Sequence, residues 1–385
     1  MRLSLFACFL TTVVVAACAS SSAKSTSGPS SSAASSSSSG AGGSVGTSSS
    51  SSSSSSGAGA SDGGAQSDAG PIVAPDDTWT WVDVPGSRCA SGTETGFAVN
   101  PHAGSTELVI YLEGGGECYD ATTCWGPSPS AKNVAGYDES AFTSPSNDQL
   151  DYPTLARSPA NPFGAMNMAY VPYCTGDMHA GTLEKDLTVD GGTIPTYFYG
   201  ANDMDLFLAR LAPTFPGLTR VVLLGTSAGG FGTYLSFDKV VKTFNVRVDI
   251  VDDSGPPIAQ AGQSSNEGLF TVWGIAAPTG CSPCTSFLDV MKAARVEQPQ
   301  SRFGFLSFSW DTTIGPDFGY TSSTYLNEID ALFMNFASDP NVHTYIVTSQ
   351  SGHVVESVGA LASDYLPWMT TMVTDGGTWM NGTYP

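Results

Sequence analysis

Ser227, in the stretch Gly225-Thr226-Ser227-Ala228-Gly229, is the residue of this chain best set for chemistry, since the stretch matches G-x-S-x-G. A serine hydroxyl is a poor nucleophile until a nearby base takes its proton, so such a motif asks for a histidine, an orienting carboxylate and donors for a developing oxyanion. The match alone carries little weight, because Gly42-Gly43-Ser44-Val45-Gly46 repeats it in a Ser- and Gly-rich stretch. Context separates the two copies. Only the second follows an apolar strand-like run, 221–224, and leads into a helix-like segment. That setting would put Ser227 on a sharp strand-to-helix turn whose flanking glycines avoid clashes with neighbouring elements. The competing reading is a tight turn that uses glycine for packing alone.

The chain has 4 histidines. His102 lies between two early strand-like runs, and His343 stands at the amino end of a late one. His179 sits in a loop after Tyr173-Cys174. His353, in Ser351-Gly352-His353, follows that late run, which is where α/β-hydrolases carry their base. An exposed loop histidine is the alternative. The carboxylate should lie between serine and histidine in sequence. Asp311 follows the run 303–308 and is favoured on strand order, with Asp252 and Asp253 as rivals that could instead shape the site. Glu113-Gly114-Gly115-Gly116 follows an early strand-like run, as the glycine-rich oxyanion loops of esterases do. Gly115 and Gly116 would supply N–H donors there, joined by the N–H of Ala228. A phosphate-cradling loop is excluded, since no Lys follows and Glu113 and Glu117 flank the glycines.

These groups need a scaffold that gathers them. Strand-length apolar runs at 79–85, 96–100, 108–112, 166–172, 220–224, 246–251, 303–308 and 344–348 alternate with helix-like segments. The helices are expected at 203–211, 228–241, 286–295, 325–336 and 357–373. This alternation predicts an α/β fold, a mostly parallel central sheet with helices on both faces and an α/β-hydrolase-like arrangement. Active groups in such sheets collect at the carboxyl ends of the strands.

Four blocks together resemble the pectin acetylesterase/Notum family: Leu112-Glu113-Gly114-Gly115-Gly116-Glu117-Cys118 with Cys124, Tyr173-Cys174-Thr175-Gly176-Asp177, Gly225-Thr226-Ser227-Ala228-Gly229-Gly230, and Asp253-Ser254-Gly255. The resemblance runs from about Trp81 to His353. It implies a carboxylic-ester hydrolase acting on acyl groups of polysaccharide or protein, with Ser227, Asp311 and His353 as nucleophile, acid and base. It also implies Gly115, Gly116 and Ala228 as oxyanion donors, and disulfides Cys89 with Cys174 and Cys118 with Cys124, leaving Cys281 for Cys284. Glu117 stands where the family usually has an aromatic residue, and Thr226 where it usually has Cys.

The expected reaction is removal of acetyl groups from polysaccharide. Deacylation of longer chains on protein or lipid, and a non-catalytic glycan-binding module on the cell surface, are the alternatives. The chemistry needs no cofactor, and no Cys or His spacing suggests a metal. A formal net charge of −21 argues against nucleic-acid partners and against strongly anionic polymers.

Residues 1–17 read as an export signal running into Cys18, in the manner of a bacterial lipobox, so Cys18 is the expected lipidation site. Ala19 after it implies sorting to the outer membrane, as a periplasmic or cell-surface lipoprotein. Residues 18–70, mostly Ser, Gly and Ala with an unbroken serine run at 48–56, read as a flexible tether. Residues 71–385 are long enough for one large esterase domain. Of the 8 cysteines, Cys8 and Cys18 fall in the leader, and the remaining even number suits disulfides in an exported domain.

Overall fold

The computed structural model describes residues 70–189 and 191–385. The export signal, Cys18 and the tether as far as residue 69 lie outside them. Nine strands form one sheet: β1 (Thr80–Val84), β2 (Thr95–Asn100), β3 (Glu107–Leu112), β4 (Asn167–Val171), β7 (Arg220–Thr226), β8 (Arg247–Asp253), β9 (Phe303–Phe308), β10 (Val342–Val347) and β11 (Gly382–Tyr384). Two more, β5 (Leu183–Val189) and β6 (Gly192–Phe198), make a separate antiparallel hairpin. The large sheet runs β1-β2-β4-β3-β7-β8-β9-β10-β11. β2 pairs antiparallel with β1 and β4, and every pairing from β4 to β11 is parallel.

The central strands carry runs of apolar residues that are buried on both faces. In β3, Leu108, Ile110 and Leu112 enter one core while Val109 and Tyr111 enter the other; in β7, Val221 and Leu223 oppose Val222 and Leu224 in the same way. The first core takes Phe207, Leu208 and Leu211 from the helix Gly200–Thr214, and Val290 and Met291 from the helix Phe287–Glu297. The second takes Tyr365, Met369 and Met372 from the helix Ala362–Val373. Helices on both faces follow, as the strand–helix alternation leads one to expect.

Several local readings need correction. The single helix expected at 228–241 is two, Ala228–Leu235 and Phe237–Phe244, with Ser236 between them at φ −94° and ψ −3°. Val240 N–H still donates to the Ser236 carbonyl, so the chain bends there without leaving helical hydrogen bonding. His343 lies inside β10, and β10 is followed by a further strand, β11. The β5–β6 hairpin was not expected, because its residues are mostly exposed and polar and β6 contains Pro195.

Candidate active site

β7 ends at Thr226, and the helix Ala228–Leu235 starts one residue later, leaving Ser227 alone in the turn. Its φ is +54° and its ψ −122°, a conformation that L-residues avoid and that the surrounding packing must enforce. The glycines of the motif explain how the turn closes. A Cβ on Gly225 would fall against the Gly229 carbonyl, and one on Gly229 against the Leu112 carbonyl of the neighbouring strand, each nearer than real atoms approach. Ser227 N–H is tied to the Asp253 carbonyl at 2.8 Å, joining the turn to the end of β8.

His353 arrives from the loop after β10, and Asp311 from the loop after β9. Ser227 Oγ lies 2.7 Å from His353 Nε2, and His353 Nδ1 lies 2.9 Å from each Asp311 carboxylate oxygen. A neutral imidazole satisfies both contacts only with its proton on Nδ1, donated to Asp311, which leaves Nε2 to accept from Ser227. Asp311 is fully buried, and its Oδ1 also accepts the N–H groups of Thr313 and Ile314 at 2.8 Å each. The two loops are themselves stitched together, since Thr312 N–H donates to the Gly352 carbonyl at 2.8 Å.

The rival carboxylates do other things. Asp253 accepts from Val355 N–H at 3.0 Å, from Glu356 N–H at 2.7 Å and from the Ser254 hydroxyl at 2.8 Å, so it grips the two residues beyond Val354 in the histidine loop. The same Ser254 hydroxyl reaches the His353 carbonyl. Asp252 Oδ1 accepts from Gly255 N–H at 2.8 Å, closing an Asx-type turn. Burial raises the pKa of both, that of Asp253 to about 6.

Of the remaining histidines, His102 pairs with Asp77 at 2.7 Å, and His343 contacts Asn381 and Pro340, all away from Ser227. His179 is buried beside the glycine loop, where Nε2 lies 2.9 Å from the Glu113 carbonyl, and burial lowers its pKa to about 4. A neutral His179 therefore donates to that carbonyl. It supports the loop and does not titrate near neutrality.

The glycine loop is held by a residue with no signal in the sequence. Gln149, in the 3₁₀ turn Asp148–Asp151, is buried and forms both hydrogen bonds of a paired amide with Gly114. Its Oε1 accepts Gly114 N–H at 3.0 Å and its Nε2 donates to the Gly114 carbonyl at 3.0 Å. Oε1 also accepts from Tyr111 Oη at 2.7 Å and Thr226 Oγ1 at 3.2 Å, which ties β3, β7 and the loop to one amide. Gly114 N–H is thereby used up. Among the described residues, none accepts from the N–H groups of Gly115, Gly116 or Ala228, and all three residues line the cleft at Ser227. Glu113 faces the other way, where its Oε2 accepts Tyr173 N–H at 2.8 Å and burial raises its pKa to about 8.

The cleft above Ser227 has a volume of about 620 Å³. Its lining includes the buried Met178, Phe231, Ile314 and Phe318 and the polar Glu117, Ser130, Lys132, Asp148, Asp317 and Ser357. Disulfides join Cys89 to Cys174, Cys118 to Cys124 and Cys281 to Cys284. The first two brace the chain just after β4 and just after the glycine loop.

Comparison with known proteins bears on the fold and the family. A curated relative, palmitoleoyl-protein carboxylesterase NOTUM of Drosophila melanogaster, is 28% identical over 213 residues, covering 48% of this chain and 29% of that protein. NOTUM of Schmidtea mediterranea is 32% identical over 161 residues, covering 40% and 28%. The matched stretches thus span under a third of the length of these relatives. A crystal structure of the Wnt deacylase Notum from Drosophila superposes with a TM-score of 0.52 at 20% identity, covering 78% of this chain and 97% of that one, which is a likeness of fold. The pectinacetylesterase family model matches residues 79–279, from β1 through the glycine loop and Ser227 but short of Asp311 and His353. That match covers more than half of the 385 residues, and the chain belongs to the pectinacetylesterase family.

Proposed function

We propose that this chain is a serine carboxylic-ester hydrolase that removes acetyl groups from polysaccharide. One observation carries the reading: the Ser227 hydroxyl, His353 and Asp311 form a continuous chain of contacts at the floor of an open cleft. As Ser227 Oγ attacks the ester carbonyl, its proton passes to His353 Nε2, and Asp311 holds the ring in place through Nδ1. The carbonyl oxygen takes up charge and is received by the free N–H groups of Gly115, Gly116 and Ala228. His353 then gives its proton to the departing alcohol oxygen, leaving an acyl-serine. Water repeats the sequence, losing a proton to His353 and releasing the acid and the free serine. The acetyl and polysaccharide assignment rests on the family's name and on the polar lining of the cleft.

The test is release of acetate from nitrophenyl acetate and from acetylated polysaccharide by the full chain beside Ser227→Ala. Turnover is expected to fall by about 10³-fold or more in the variant, with an unchanged circular dichroism spectrum. Equal activity in the two proteins would refute the mechanism. The palmitoleoyl-protein carboxylesterases among the relatives, together with Ile314 and Phe318 in the lining of the cleft, favour a second reading, removal of longer acyl chains.

The proposal extends to export and to a lipid anchor on Cys18 at the outer membrane. The apolar leader running into Cys18 supports it, as do three disulfides, which belong to oxidising compartments. Labelled palmitate should enter the wild type and not Cys18→Ser, and equal labelling of both would discard the anchor.

A further inference from the structure

Two carboxylates, Glu117 and Asp317, share the cleft with its apolar lining. Ile314 and Asp317 lie three residues apart on the short helix Ile314–Asp317, so they share a face, and Phe318 follows directly. Phe318 packs on Phe231, with ring centroids 5.8 Å apart, and Phe231 stands one helical turn beyond Ser227. Glu117 enters the same cleft from the other direction, as the residue after the glycine loop. Glu117 is half-buried, and burial first and then the neighbouring Asp317, itself exposed, raise its pKa to about 7. Among the described residues, neither carboxylate receives a hydrogen bond or forms an ion pair, although Lys132 lines the same cleft.

An alkyl chain attached at the Ser227 carbonyl and running past Ile314 and Phe318 would strip water from Glu117 and return no donor to it. Burying a carboxyl group without a hydrogen-bond partner, ionised or protonated, offsets what several buried methylenes gain. A two-carbon acyl group adds little alkyl surface to that conflict and leaves Glu117 able to hold water or the hydroxyl groups of a sugar.

We propose that Glu117, seconded by Asp317, is the specificity-determining residue of this site: it excludes long alkyl chains and admits short acyl groups on a hydroxyl-bearing alcohol. The inference rests on Ser227 being the nucleophile.

The test compares kcat/KM for nitrophenyl acetate, butyrate and octanoate in the full chain, in Glu117→Leu and in Glu117→Gln. The wild type should fall steeply with chain length. In Glu117→Leu the octanoate-to-acetate ratio should rise by about tenfold or more, the size of effect that a few methylenes have in a pocket. Glu117→Gln removes only the charge and should raise the ratio less; it also serves as the readout if the leucine variant does not fold. Ratios unchanged in both variants, or a wild type that prefers octanoate, would overturn the inference while leaving Ser227 in its role. A wild type that hydrolyses no ester would instead remove the reading on which the inference stands.

Discussion

Gln149 has no chemistry of its own to offer, yet a single amide sets the position of Gly114 through both its N–H and its carbonyl. The oxyanion donors assigned to Gly115 and Gly116 are the next peptide groups along, so their aim depends on that grip. Replacement by leucine keeps the volume and removes four hydrogen bonds at once: two to Gly114, one from Tyr111 and one from Thr226. Loss of one well-placed oxyanion donor costs about 10²–10³ in kcat, and a loosened loop should cost part of that, about 10–10². Gln149→Leu is therefore expected to lower kcat with a smaller change in KM. Rates should be counted per active site, titrated with a fluorophosphonate, so that a poorer yield of folded protein is not mistaken for slower chemistry. A normal kcat per titrated site would reduce Gln149 to a structural part. Strand order favours Asp311 over Asp253, and the hydrogen bonds show what separates them. Both are buried carboxylates, Asp253 the last residue of β8 and Asp311 just beyond β9, and their hydrogen bonds distinguish the one that meets the histidine ring from the one that holds its loop.

At the level of elements, the loop carrying His353 is clamped from below by a pair of buried acids. Asp253 holds Val355 and Glu356 through their N–H groups. The Glu356 side chain turns inward, with one oxygen reaching the Thr154 hydroxyl and the other buried without a partner. Burial raises Glu356 from 4.5 to about 8, and the nearby Asp253 adds to the rise. A carboxyl whose pKa is raised by folding stabilises the fold fully below its unfolded pKa and gives that stability up as pH rises through the folded value. The melting temperature should therefore fall between about pH 4.5 and pH 8, and Glu356→Gln, which cannot ionise, should fall less. Glu113, also raised to about 8, stays in the variant, so the slope should shrink without vanishing. Parallel melting curves for the two proteins across that range would dismiss the clamp as a source of pH sensitivity. This loop also marks where the sequence stops being legible. The parallel strands read clearly because burial on both faces gave them apolar runs, and the turn at Ser227 read clearly because its glycines directly follow such a run. Gln149 and Glu356 sit in irregular segments whose contacts are 35 and 202 residues away in sequence, and no periodicity encodes such pairs. β11 was missed for a related reason: three residues beginning with glycine carry no strand pattern until β10 offers them an edge.

Charge is the property that belongs to the whole molecule, and it bears on which polysaccharide could approach the cleft. The formal net charge is −21, from 35 acidic and 14 basic residues. Glu117, Asp148 and Asp317 line the cleft against the single cation of Lys132. A surface of one sign repels a polymer of the same sign over distances set by salt, with a screening length of about 10 Å at 0.1 M. The carboxylates of a de-esterified pectin would meet that field along every repeat, whereas an acetylated neutral glycan would not. At low ionic strength, acetate release from a neutral acetylated glycan should therefore exceed release from a pectin of equal acetyl content but low methyl esterification. Added sodium chloride should narrow the gap by speeding the pectin reaction. The effect should fall on kcat/KM, because repulsion acts on encounter and leaves the bound ester untouched. If salt changes neither rate, or if the polyanion is the better substrate at low salt, the field of the folded domain does not govern substrate choice. The specificity of the enzyme would then have to lie wholly in the contacts within the cleft.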